Sequence, residues 1–253
     1  MRYMKGAVTP SRDHDYPLLK RVLGCRFVTH GQLWRFLHRD RYEASRGSYD
    51  WRVKRLRESG YITHLPLPMV SQDCVYTIAG NGVTYLVGLG ELYSGPLNGL
   101  GIDPDINSVA HAVSLNDIHL RFHETMVVVS WETETEIRSR NELTNRGYKK
   151  DYDAVVTLVL SGEVKTFALE YERTPKTYRE YSKILQRIET ERRIDRFLYL
   201  VTNSHLQSLI EQCYRRISRA LYIGLASELE SVSPEDLEVL EVRTNRMLRL
   251  KDI

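Results

Sequence analysis

The chain predicts an α/β protein in two parts: three short helices with a two-stranded wing, then a larger unit built on a mixed sheet. Three observations carry this. Short amphipathic helical patterns crowd the first 90 residues and end in two strand-like runs. A Gly- and Pro-rich stretch, Gly88–Asn107, then interrupts the periodicity and reads as a linker. Beyond it, helical patterns alternate with apolar runs of strand length, the order of an α/β unit. The predicted boundaries are 1–90, a linker at 91–107, and 108–253.

In the first part, Asp15–Leu23 is the first helix. Thr29 and Gln32 stand in capping-box register before a second, Gly31–Leu37, with Leu33, Trp34, Phe36 and Leu37 on its apolar face. After a loop, Asp40–Gly47, a third helix runs Tyr49–Glu58, with Trp51, Val53 and Leu56 turned inward. Gly60 ends it in the position just past the cap. Strands Tyr61–Leu65 and Cys74–Ile78 flank the loop Pro66–Asp73, and Asn81–Val87 starts a short helix. Three helices and a two-stranded wing describe a winged helix-turn-helix. Its third helix enters the major groove of duplex DNA, with Tyr49, Arg52, Lys54, Arg55 and Arg57 as the expected DNA-binding residues.

Charge distribution agrees with that reading. Residues 1–70 hold 14 Lys/Arg against 6 Asp/Glu, a net of +8; the remaining 22 against 27 give −5, for +3 over the chain. Cys25, Cys74 and Cys213 are isolated and lack CxxC spacing, which argues for a reducing compartment and against a structural zinc or disulfide framework. With no apolar leader pattern and no run of membrane-spanning length, the expectation is a cytoplasmic protein with no membrane partner.

In the second part, Ser108–Val128 is a long amphipathic helix, and Trp131–Arg138, a strand or helix edge, carries Glu132, Glu134 and Glu136. Ala154–Leu160 and Lys165–Tyr171 flank a Ser161-Gly162 turn and form a hairpin. Helix Tyr178–Arg192, strand Phe197–Val201, helix Ser204–Ile217 and strand Ala220–Leu225 follow. Ser233-Pro234-Glu235 opens a short final helix, with Pro at its first position.

The hairpin holds the chemistry. Asp153 enters its first strand, Glu170 ends its second, and Glu172 lies two residues on, ahead of a basic, tyrosine-rich helix. Carboxylates at the ends of adjacent strands, with cations beyond, suit a metal-dependent phosphodiesterase: the acids hold Mg²⁺ or Mn²⁺, and Lys or Arg meets the charge on phosphorus. The same pattern also describes an amphipathic hairpin with solvated acids at its rim.

The order helix, hairpin with Asp then Glu, helix, strand resembles the core of the PD-(D/E)XK, restriction-endonuclease-like superfamily. Over nearly its full length the chain resembles the plasmid replication-relaxation family, which includes MobC-type mobilisation relaxases. The residues carrying this are His111 with Asn116-Asp117, Trp131 through Arg138, Asp153 with Ala154 and Val155, and Leu169-Glu170 followed by the Lys183 helix. The resemblance implies Asp153 and Glu170 as metal ligands, completed by Glu134 or Glu136. It implies a lysine two residues after Glu170, where this chain has Glu172. Lys183 or Arg173 would then supply the missing cation, Arg173 as a bidentate clamp. The implied function is a DNA-nicking endonuclease of plasmid mobilisation and conjugation, cutting one strand at a plasmid origin. Accessory mobilisation proteins or a coupling ATPase would be its partners. The other reading is a non-catalytic, sequence-specific DNA-binding regulator of plasmid copy number or transcription, its inactive nuclease fold serving dimerisation or DNA contact.

Competing constellations are weaker. His119 and His123 share a helical face but lack the acid of an HExxH pattern, and read as packed histidines. Tyr148, Tyr152, Tyr171, Tyr178 and Tyr181 cluster in sequence around the hairpin, yet the His-hydrophobe-His triplet that accompanies tyrosine relaxases does not occur. Gly99 and Gly101 lie outside any strand-to-helix context, and no Walker A pattern occurs.

Overall fold

A computed structural model describes residues 8–67, 73–96, 104–124 and 128–253. Part of the loop expected at Pro66–Asp73, part of the linker, including Gly99 and Gly101, and Met126 of the long helix lie outside the described residues. The chain divides into two compact units, Met1–Leu120 and Arg121–Ile253, and is mixed α/β throughout.

The first unit runs α1 (Asp15–Cys25), β1 (Val28–Thr29), α2 (His30–Arg39), α3 (Arg46–Glu58), β2 (Ile62–Leu65), β3 (Val75–Ile78), α4 (Gly80–Gly88) and most of α5 (Ile106–Glu124). Its three strands are antiparallel in the order β1-β3-β2. The two-residue β1 was not legible in the sequence; it exists because Val28 and Thr29 pair with Tyr76 and Val75, about fifty residues away.

The α2 capping box forms as expected: the Gln32 amide N–H donates to Thr29 Oγ1, and Thr29 N–H to Gln32 Oε1, both at 3.1 Å. Gln32 Nε2 also donates to Val113 O and Asp117 Oδ1 of α5, each at 2.8 Å. Asn116 Nδ2 donates to Phe27 O, and Val109 and Ala112 pack with Phe27, Leu65 and Val75. Residues 106–120 thus belong to the first unit rather than to the part expected to start at 108. The contacts that decide this join residues more than 80 positions apart.

Leu18, Leu19 and Val22 of α1, Leu33, Phe36 and Leu37 of α2, Val53 and Leu56 of α3, and Val83 and Leu86 of α4 share one core. Trp51, expected inward, is instead 49% exposed. Tyr49, Val53 and Leu56 supply the buried stripe of α3, and Trp51 falls off it. Gly60 has the positive φ of its predicted place, 71°.

The second unit runs β4 (Val128–Thr133), α6 (Glu134–Leu143), β5 (Ala154–Leu160), β6 (Glu163–Glu172), α7 (Tyr178–Thr190), β7 (Arg196–Val201), α8 (Ser204–Tyr214), β8 (Ala220–Leu225), β9 (Glu238–Glu241) and β10 (Arg246–Arg249). The seven strands form one sheet in the order β10-β9-β8-β7-β6-β5-β4. β6, β7 and β8 are parallel, joined through α7 and α8; the other neighbours are antiparallel. β7 is central and buried from Phe197 to Val201, which is why it reads as an unbroken apolar run.

The Ser161-Gly162 turn has φ of 49° and 82°, the paired positive values of a primed two-residue hairpin turn. The short final helix expected after Ser233 is only a single 3₁₀ turn, Pro234–Asp236. A hairpin, β9–β10, replaces its continuation, because Val239 and Leu240 find partners in Gly224 and Ile223 of β8. No helix among the described residues is long and apolar enough to cross a membrane.

Candidate functional site

In the second unit, the β5–β6 ladder ends at Ala154 paired with Leu169, which leaves Asp153 just before β5 and Glu170 next along β6 at the same end of the strand pair. The Tyr171 N–H donates to Asp153 Oδ2 at 2.7 Å, locking that carboxylate across the strand pair. Glu170 and Glu172 alternate onto the same face of β6, the face on which Tyr199, paired with Glu170 in β7, packs with Tyr181 of α7 and Tyr214 of α8. Both glutamates lie in the buried half of the strand; Glu170 is 7% exposed. Acids are rarely that buried unless paired.

Both are paired with lysine. Lys150, from the segment before β5, sets its Nζ 2.5 Å from Glu170 Oε1 and also donates to Asp151 O at 3.1 Å. Lys176, in the loop after β6, pairs with Glu172. Burial pushes the Glu170 carboxyl up to about 7, with Lys150 opposing and the Asp153 charge adding to the rise. Burial likewise raises Glu172 against the pull of Lys176. Burial acts to lower the Lys150 amine, but Glu170 and Asp153 outweigh it and the net direction is up. Glu134 also acts on Lys150, so Asp153, Glu170, Glu172, Glu134, Lys150 and Lys176 form one electrostatic cluster.

The cation at Glu170 is therefore Lys150, which sequence reasoning missed. Its signal was available: the Lys149-Lys150 pair stands just ahead of Asp151 and Asp153. Lys183 is exposed on α7, where its charge acts on Glu180. Arg173 is half-buried just past β6, and its carbonyl accepts from Thr202 Oγ1 at 3.3 Å. Glu134 pairs with Arg138. The Glu136 carboxylate closes the capping box of α6, accepting from Thr133 N and Oγ1 at 2.8 Å each.

A second buried acid ties down the backbone one residue before Lys150. Glu191, 2% exposed at the end of α7, accepts from the Lys149 N–H at 2.9 Å through one oxygen and from the Arg192 and Arg193 N–H groups at 2.8 Å through the other. Glu191→Gln leaves one side of this clamp without its acceptor. Urea unfolding should show a loss of about 1–3 kcal/mol, the cost of a buried unsatisfied donor; an unchanged midpoint would show that water replaces the lost bond.

The Glu170 carboxyl also makes a pH prediction. A folded-state value of about 7 against an ordinary 4.5 means that the folded chain keeps a proton the unfolded chain has lost. In metal-free buffer, this residue's contribution to stability is full below about pH 4.5 and falls as pH rises through about 7. Glu170→Gln should flatten that part of the stability–pH curve; an unchanged slope would refute it.

The tyrosines divide by burial. Tyr152 and Tyr181 are buried, and burial together with the Glu132 charge pushes the Tyr148 hydroxyl up to about 12. Tyr178 is exposed. His119 is buried with its ring 4.8 Å from that of Phe36.

Among the described residues, no three His, Cys, Asp or Glu side chains gather as a metal-holding group. A pair of carboxylates nevertheless matches the hard oxygen donors that Mg²⁺ takes, since that ion is often held by one or two carboxylates with substrate phosphates completing its shell. Asp153 and Glu170 have that chemistry.

In the first unit, the predicted DNA-binding residues separate into two groups. Arg52 bonds Asp15 at 3.1 Å and pairs with Glu43; Arg55 bonds both oxygens of Asp15 at 2.5 Å. Asp15 is 0% exposed, so these two guanidiniums are consumed inside the unit. Tyr49 is also internal, its hydroxyl donating to His30 O at 2.7 Å. Lys54 and Arg57 are exposed on α3, with Trp51.

No protein-family model, curated protein or solved structure matches the chain.

Proposed function

We propose that the protein binds duplex DNA through its N-terminal unit, a winged helix, and cuts one strand with its C-terminal unit, a PD-(D/E)XK-type nuclease domain. The reading is that of a relaxase-like endonuclease acting at an origin-like plasmid site. The observation that carries it is the Asp153–Glu170–Lys150 constellation: two carboxylates at the same end of an antiparallel pair, beside a parallel third strand, with a lysine paired to one of them. Supporting the DNA-binding half are the helix order, the three-stranded wing and the exposed cations of α3.

Asp153 and Glu170 would hold Mg²⁺ or Mn²⁺; when bound, such an ion polarises the phosphoryl oxygen and lowers the pKa of its water. Lys150 supplies positive charge where the phosphate gains negative charge. Glu172, paired with Lys176, shapes the charge around Glu170. Relaxation of supercoiled plasmid DNA in each metal tests the reading: nicked circles support it.

One observation favours the second reading, a non-catalytic DNA-binding regulator. Glu172 occupies the position where the superfamily pattern has lysine, and Glu170 and Glu172 are each engaged by a lysine. Tight duplex binding with supercoiled DNA left intact in both metals would select the regulator.

A further inference from the structure

We infer that Trp51 is the sequence-reading contact of α3, its indole meeting the 5-methyl group of a thymine in the major groove while Lys54 and Arg57 hold flanking phosphates. This rests on the duplex-DNA reading above and names the residue that gives it specificity.

Three features point to Trp51. First, it lies off the buried stripe. The buried stripe of α3 is complete with Tyr49, Val53 and Leu56, and the largest aromatic of the helix stands 49% exposed in its middle. Second, the ring is braced. The Arg55 guanidinium lies over the indole, 5.0 Å from its centroid, and Arg55 is itself anchored by both oxygens of fully buried Asp15. An exposed aromatic stacked on an immobilised cation has already given up much of its rotamer freedom, so binding costs less entropy. Third, the surroundings suit a polyanion. Lys54 and Arg57 follow at three and six residues along the helix, both exposed, in a segment of net charge +8 over residues 1–70. With Arg52 and Arg55 neutralised by Asp15 and Glu43, phosphate contact by the predicted cations of α3 falls to these two.

The base edge that an indole reads follows from its chemistry. In the major groove only thymine offers an apolar group, its 5-methyl, and an aromatic side chain meets it by contact rather than by hydrogen bonding. The DNA contact that the sequence led one to expect from Arg52 and Arg55 is closed off, because both guanidiniums are engaged by the buried acids Asp15 and Glu43.

The test selects binders from a pool of random-sequence duplexes with the full chain, wild type and Trp51→Ala, then replaces thymine by uracil in the selected duplex, removing only methyl groups. Wild type should enrich a thymine-containing motif and lose about tenfold in affinity on the key uracil replacement. Trp51→Ala should lose about the same on the thymine duplex and be indifferent to uracil, the signature of a coupled pair. Lys54→Ala and Arg57→Ala should weaken all duplexes alike, each lowering the salt slope by about 1. If Trp51→Ala enriches the same motif at unchanged affinity, or uracil leaves wild-type binding unchanged, the Trp51 assignment is overturned. So it is if wild type binds duplex but enriches no motif. A wild-type chain that retains no duplex at all overturns the DNA reading and the assignment together. Because Trp51 is half-exposed, its variants should melt like wild type, which separates lost contact from lost fold.

Discussion

On the proposed nuclease reading, Asp153→Asn, Glu170→Ala and Lys150→Ala should each lower metal-dependent nicking of supercoiled DNA by about 10²–10³-fold, the scale of removing one preorganised charge at a reacting centre, with duplex binding retained. Asp153 lies at the same end of the hairpin as Glu170 and acts on its charge, and Lys150 pairs with Glu170, so the three should act as a unit and double variants should fall little further than singles. On that reading one such site per chain would cut one strand, and the expected product is the open circle rather than the linear form. Undiminished nicking by both acid variants would remove the site from the hairpin. Loss in the acid variants with full activity in Lys150→Ala would move the cation elsewhere, with Lys183 and Arg173 the next to change. The Glu170 variant requires a matched unfolding curve, because removing the acid leaves Lys150 beside one fewer negative charge.

Asp15→Ala should destabilise the N-terminal unit by about 3–5 kcal/mol, the cost of stranding buried charge. Asp15 is fully buried, accepts from the Ser11 N–H at 2.7 Å and takes both Arg52 and Arg55. Burial pushes its carboxyl up, but Arg55, the Ser11 N–H and Arg52 together outweigh burial, and the net direction is down. A depressed carboxyl contributes stability that is fully present above its ordinary value of 3.8 and is lost as pH falls through the depressed one. Urea unfolding of Asp15→Ala at neutral pH checks the size; a loss under about 1 kcal/mol would mean that the arginines re-solvate freely. The same network changes what Arg52 and Arg55 variants report. Their effect on DNA binding should follow lost fold and a freed Trp51 ring, leaving the salt slope unaltered, whereas Lys54→Ala should leave stability intact and change the slope.

Much of this protein is local and was therefore legible. The Thr29–Gln32 capping box, the Gly60 helix end, the Ser161-Gly162 turn and the strand Ala220–Leu225 each depend on residues within a few positions of one another, and each forms as read. Asp153 and Glu170 could be marked as partners because one hairpin register relates them. Tertiary structure alone decided the rest. Lys150 rather than Lys183 meets Glu170, twenty residues away in sequence. Asp15 rather than phosphate takes Arg55, forty residues away. Val28 and Thr29 become a strand only because Tyr76 and Val75 arrive beside them. A basic residue carries no sequence mark that distinguishes a buried partner from an open surface; its stem reaches either, and the choice falls to whichever acid the fold brings within hydrogen-bonding distance. Periodicity and turn chemistry act over a few residues and determine the elements, whereas charge pairing acts across the fold and determines which cations stay exposed.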